Sequence, residues 1–97
     1  MQFLVLGEAR DSIVGKEMVR NLRADVATAV QRIAASGKMQ AGGILAGQRK
    51  GFWLLEADSS EELMALLGGE LIDNMRMEIT PVLAFESLGK FFAEHPM

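Results

Sequence analysis

"AGQRKGFWLLEADSSEELMALLGG", residues 46–69, holds a turn, a strand and a helix in succession. Gly47 and Gly51 bracket a short polar turn. Residues 52–57 then alternate, with Phe52, Leu54 and Glu56 on one face and Trp53, Leu55 and Ala57 on the other, the period-2 pattern of a strand. Asp58, Ser59 or Ser60 can each cap the helix that follows, and Glu61 and Glu62 suit its positive N-terminus. Gly68-Gly69 predicts its end. A glycine-bearing turn in front of such a run also raises the question of a phosphate cradle. The spacing of Gly42, Gly43, Gly47 and Gly51 fits neither GxGxxG nor a P-loop, and no helix follows the first pair, so these glycines are expected to serve turning.

Working outward, "MQFLVLGEA" predicts a first strand over residues 2–9. Leu4, Leu6 and Glu8 share one face and Phe3, Val5 and Gly7 the other. Both faces are largely apolar, which places the strand centrally, with cover on both sides. Asp11 or Ser12 offers an N-cap. Val14, Met18, Leu22, Val26, Val30 and Ile33 then recur every three or four residues, opposite Lys16, Glu17, Arg20, Arg23 and Gln31, which predicts a long amphipathic helix ending at Ser36-Gly37. Residues 38–47 form a second strand interrupted by Gly42 and Gly43, where a bulge or close approach is expected. On the far side, "NMRMEITPVL" alternates Met75, Met77 and Ile79 against Arg76, Glu78 and Thr80. Pro81 marks this fourth strand as an edge or a strand end. "AFESLGKFFAEHPM" gives a short amphipathic tail helix carrying Phe85, Leu88, Phe91 and Phe92. The order βαββαβ plus a tail is the ferredoxin-like α+β pattern, with a four-stranded antiparallel sheet and both helices on one side. Such a sheet leaves its other face bare, and the apolar residues there predict a second copy of the chain as cover.

Ninety-seven residues are expected to make a single domain, 1–97, with little room for a second. A chain this short buries only about 60–65% of its extended surface. With seven methionines, five phenylalanines and one tryptophan, it is expected to bury further apolar surface by self-association. The net charge of −3 argues against a nucleic-acid binder and against an anionic-membrane binder. With no cysteine, disulfides, thiolate metal sites and cysteine nucleophiles are excluded. A single histidine rules out a histidine-rich metal site, and no metal or cofactor is expected. No signal peptide or membrane span is legible, so a soluble, cytoplasmic protein is expected.

The opening "MQFLVLGEA", the helix end "AASGKMQAGGILAG", then "GFWLLEADSSEELMALL" and "MEITPVLAFESL" together resemble the dimeric α/β-barrel proteins of the muconolactone isomerase-like group, over nearly the whole chain. The resemblance implies a homodimer, or a larger homo-oligomer, in which the sheets of two subunits face each other and a pocket lies between sheet and helices of each. It also implies a choice of activities: lactone isomerisation by proton transfer without metal or organic cofactor, or cofactor-free monooxygenation of an aromatic substrate. Many relatives have no known activity. No catalytic motif of the true muconolactone isomerases matches residue by residue, so their activity is not carried over.

Cofactor-free proton transfer needs a base near the substrate and a partner for the developing oxyanion. Glu8, continuing the Leu4–Leu6 face, is the first candidate base, because burial beside apolar residues raises a carboxyl pKa toward neutrality; otherwise it is solvated or paired with Arg10. Glu56 is a similar candidate on the Phe52–Leu54 face. Arg10 and Arg49 are candidates to grip a substrate carboxylate, Gln40 to donate to a carbonyl, and Trp53 to line an aromatic cavity. His95 enters only if the tail folds over a neighbouring pocket. Beside an isomerase and a monooxygenase stands a third expectation, a non-enzymatic binding or assembly module with surface carboxylates.

Overall fold

The computed structural model describes residues 1–96. Strand β1 spans Gln2–Ala9, helix α1 Lys16–Ser36, β2 Met39–Leu45, β3 Lys50–Glu56, α2 Ser60–Ile72, β4 Met75–Val82 and α3 Phe85–Glu94. The strands form one antiparallel sheet in the order β2-β3-β1-β4. This is the ferredoxin-like βαββαβ arrangement with an added C-terminal helix. Both doubly apolar strands, β1 and β3, are central, and β4 with Pro81 is an edge.

The two faces of the sheet differ. Val5, Gly7 and Ala9 of β1, with Gly51, Trp53 and Leu55 of β3, are buried beneath the helices. Gly7 makes room for side chains of the two flanking strands: a Cβ there would stand 3.1 Å from the Trp53 ring and 3.2 Å from Met75 Cε. The core joins Val5, Leu55 and Ala57 to Ala29 and Ile33 of α1 and to Leu63, Leu67 and Leu71 of α2. The opposite face carries Leu4 and Leu6 paired across to Leu54 and Phe52, all half-buried and covered by no helix. The expectation of cover on both sides of β1 is thus met on one side only within the chain.

Local signals explain most boundaries, with two corrections. Helix α1 begins at Lys16 behind Gly15, whose φ of 81° no other residue adopts readily; neither Asp11 nor Ser12 caps it. Its C-terminus is closed by Gly37 in the left-handed conformation, as "ASGK" predicts. In α2, Ser59 is the N-cap: its Oγ accepts the Glu62 amide at 3.1 Å, and the Glu62 carboxylate accepts the Asp58 amide at 3.1 Å, a variant of the capping box. Gly68 does interrupt this helix, at φ 68° and ψ 169°, but the chain resumes a further turn to Ile72. The carbonyls freed by the break are taken up by Arg32 of α1, whose Nε donates to Leu66 O at 3.2 Å and Nη2 to Leu67 O at 2.8 Å, while Nη1 grips Glu70.

Helix α3 stands apart. None of its residues is buried, with Phe85 90% and Phe92 60% exposed. The molecule is accordingly long, 55 × 26 × 20 Å, with a radius of gyration of 15.7 Å; a compact chain of this length has about 13 Å. Among the described residues, no helix is long and apolar enough to cross a membrane.

Candidate functional site

A cavity of about 640 Å³ lies beside α1, over the β2–β3 side of the sheet. Its position follows from the layering. Helix α2 packs beside α1 toward β4, so α1 alone roofs the β2 edge and leaves a trough. The α1 wall presents Val19, Leu22, Val26 and Val30, one turn after another, and the sheet contributes Trp53 and Met75. Glycine at positions 42 and 51 keeps the sheet wall low. Ile44, 80% exposed, stands at the open side.

Arg23 of α1 and Gln48 and Arg49 of the β2–β3 turn supply the polar side chains of this lining; Lys50, the first residue of β3, borders it but turns its side chain to the Glu8 face of the sheet. Arg49 Nη2 donates to Ile13 O at 3.0 Å, which fixes the guanidinium against the loop before α1. Lys50 Nζ lies 3.8 Å from Glu8 Oε2. Lys16 and Arg20 extend the basic character along a shallow groove that shares Val19 and Arg23 with the cavity. Among the described residues, no carboxylate belongs to the cavity lining. In a protein of net charge −3, an apolar trough edged by Arg23 and Arg49 is locally positive, suited to an apolar molecule bearing negative charge. Among the described residues, no cluster of three or more histidines or carboxylates is placed to hold a metal ion.

The candidate residues from sequence divide between this cavity and elsewhere. Trp53, 5% exposed, and Arg49 line it. Glu8 and Glu56 lie on the opposite face of the sheet, because the helices cover the Val5–Gly7–Ala9 face and not the Leu4–Leu6–Glu8 face. There Glu8 pairs with Lys50, and Glu56 accepts the Met1 ammonium at 2.6 Å. Arg10 does not pair with Glu8: Nε and Nη2 donate to the carbonyls of Asp73 at 3.3 Å and Ile72 at 3.4 Å, anchoring the end of α2. Gln40 sits in the β2 bulge and accepts from Gln2 Nε2. His95 ends α3, stacked on Phe91 with ring centroids 4.4 Å apart, away from its own chain's cavity. Arg23 and Gln48 were not singled out from sequence. Arg23 reads as one more solvent-side charge of an amphipathic helix, and only the position of α1 over the sheet turns it toward the trough.

Two carboxylates have displaced acidities, both outside the cavity. The Asp58 amide, joined by Lys38 at 3.3 Å, holds the Glu62 carboxyl below the usual carboxylate range. Arg32 does the same for Glu70. Each is a structural clasp of α2.

Compared with models of known protein families, the chain matches none, and comparison with curated proteins likewise gives no match. The fold is ferredoxin-like on its own topology, and the likeness to the muconolactone isomerase-like group rests on the sequence stretches quoted above.

Proposed function

We propose that this chain is a cofactor-independent homodimer, built as a muconolactone isomerase-like α/β barrel, that binds a small, largely apolar organic molecule in the cavity beside α1. The observation that carries this is the cavity itself: about 640 Å³, walled by valine, leucine, methionine and Trp53, with Arg23 and Arg49 as the charged side chains that line it on the helix side of the sheet. That size and lining fall within the usual range for small-molecule sites. The second copy is supported by the uncovered Leu4–Leu6–Phe52–Leu54 face at the centre of the sheet, rimmed by Gln2, Glu8, Glu56 and Glu78. Apolar centre and polar rim are the anatomy of a protein interface.

Proton-transfer isomerisation with Glu8 as base has less support from the geometry, since the sheet separates Glu8 and Glu56 from the trough. Trp53 against the cavity favours the monooxygenase alternative for an aromatic ligand, which oxygen uptake with a polycyclic phenol tests directly.

The binding reading is tested with 8-anilinonaphthalene-1-sulfonate, an apolar aromatic anion, followed by its own emission and by quenching of Trp53. Ala27 lines the cavity yet is exposed, so Ala27→Phe fills the trough without disturbing the core. Saturable binding weakened at least tenfold by Ala27→Phe is expected. Equal binding by both proteins refutes the site. Native mass spectrometry gives the assembly: a dimer is expected, and Leu54→Arg, which puts a charge on the apolar face, should yield monomer.

A further inference from the structure

Most cations of this chain have a partner within it. Of ten lysines and arginines, Arg32, Lys38, Lys50, Arg76 and Lys90 each stand within 4.0 Å of a carboxylate. Arg10 and Arg49 donate to backbone carbonyls. Among the described residues, Lys16, Arg20 and Arg23 do neither, and all three are exposed. They stand on one side of α1, spaced four and three residues apart, about 10 Å from first to last. With Val19 they line the shallow groove, about 530 Å³, that adjoins the cavity.

This placement works against the helix. Lys16 with Arg20, and Arg20 with Arg23, are like-charge neighbours one turn apart, which destabilises a helix. Lys16, at the first position of α1, also faces the positive end of the helix dipole. Unfavourable charge with no compensation inside the chain is what a site for an outside anion leaves behind.

The shape of the two hollows tells how that anion is attached. Val19 and Arg23 belong to both. From Arg23 the cavity continues along α1 past Val26 and Ala27 to Val30, about 10 Å further. A molecule lying along α1 therefore has an apolar wall for its body and three cations at its end. A single carboxylate is within the means of Arg23 and Arg49 at the edge of the trough. Lys16 and Arg20 lie beyond them, and two guanidinium groups with an ammonium match a doubly charged group with several oxygens, which arginine grips through paired N–H donors.

We propose that the ligand of the cavity is an elongated phosphate monoester, with its apolar body in the trough beside α1 and its phosphate in the groove of Lys16, Arg20 and Arg23. This rests on the cavity-binding reading above and names the class of molecule that the site takes.

Octyl phosphate is the probe, titrated calorimetrically into the wild-type protein and into Lys16→Gln/Arg20→Gln. Both positions are exposed, and glutamine is about as good a helix former as lysine or arginine. The double variant should bind octyl phosphate at least tenfold more weakly, while 8-anilinonaphthalene-1-sulfonate, short enough for the trough alone, keeps its affinity within twofold. Ala27→Phe should weaken both. Arg76→Gln/Lys90→Gln removes the same charge elsewhere and should leave octyl phosphate binding unchanged; an equal loss there makes the effect one of net charge and overturns the proposal. If 8-anilinonaphthalene-1-sulfonate binds but octyl phosphate does not, or binds the wild type and Lys16→Gln/Arg20→Gln alike, the phosphate groove is refuted and the trough stands. If neither probe binds, both readings fall. Inorganic phosphate binding as tightly as octyl phosphate reveals a site for free phosphate, and octanoate binding as tightly reveals a carboxylate ligand; either refutes the phosphate monoester. Without ligand, Lys16→Gln/Arg20→Gln should melt no lower than the wild type, and a clear drop assigns these cations to helix stability instead.

Discussion

Replacing Gly68 by alanine should be among the most damaging single-methyl changes available in this protein. Two terms add. The backbone at Gly68, φ 68° and ψ 169°, lies in a region essentially reserved for glycine, and a side chain there costs about 1–3 kcal/mol. The new Cβ would also overlap Arg32 Nη2 and stand 2.9 Å from Arg32 Cζ. The guanidinium is the end of a flexible chain and can swing away, but doing so releases the Leu66 and Leu67 carbonyls it holds at 3.2 and 2.8 Å. Hydrogen bonds to a charged donor are worth about 1.5–3 kcal/mol each when buried. With the Arg32 side chain about a third exposed, half that value is reasonable. The sum is about 2.5–6 kcal/mol, a large share of the roughly 5–15 kcal/mol of a typical domain. Urea unfolding followed through Trp53 gives the difference directly. The clash term depends on Arg32, so it should vanish in an Arg32→Met background, where Gly68→Ala should cost only the backbone term. A loss below about 1 kcal/mol, or an identical loss in both backgrounds, would falsify the assignment of Gly68 and Arg32 as one unit.

Leu67→Ala, at a fully buried position of α2, should cost about 2–5 kcal/mol by lost burial plus the void left behind, measured in the same urea assay. Ser59→Ala removes the cap that accepts the Glu62 amide and should cost about 1 kcal/mol, seen as a thermal midpoint lowered by several degrees. Acid should weaken the fold through Glu62 and Glu70. Both have lowered folded-state pKa values, so their contribution is complete above the usual carboxylate pKa of about 4.3 and is lost as pH falls through the lower folded values. Thermal midpoints from pH 7 to pH 3 should fall, and Glu70→Gln should flatten that fall; a slope unchanged by Glu70→Gln would contradict the clasp.

Alternation along β1 and β3 told which side chains travel together, and the long period of α1 and the Ser59–Glu62 signature located the helices. What alternation leaves open is which of two apolar faces the helices cover. Two apolar faces of one strand look alike in the sequence; the helices cover the face of Val5, Gly7, Ala9, Gly51, Trp53 and Leu55 and leave that of Leu4, Leu6, Phe52 and Leu54 open. Glu8 and Glu56 followed the larger residues and so ended away from the cavity. Trp53 and Arg49, which line the cavity, stood out in the sequence because each is unusual where it stands, the lone tryptophan of a strand and an arginine in a tight turn. Arg23 and Val26 obey the ordinary helical pattern, and nothing local distinguishes a helix face that roofs a trough from one that seals a core. The resumption of α2 beyond Gly68 was hidden for a related reason: the break is bridged by Arg32, thirty-six positions earlier in the chain.

Strand β2 forms the outer wall of the cavity, and of its seven residues only Met39 and Leu45 are even half-buried. Its attachment is the ladder of backbone hydrogen bonds to β3, interrupted by a bulge at Gln40 and running through Gly42 and Gly43. Such a strand opens at little free-energy cost, so its amides should exchange with solvent earliest in the sheet. The trough is therefore rigid on the α1 side and compliant on the β2 side. A molecule bound there that stiffened the strand would forfeit part of its affinity to lost backbone entropy.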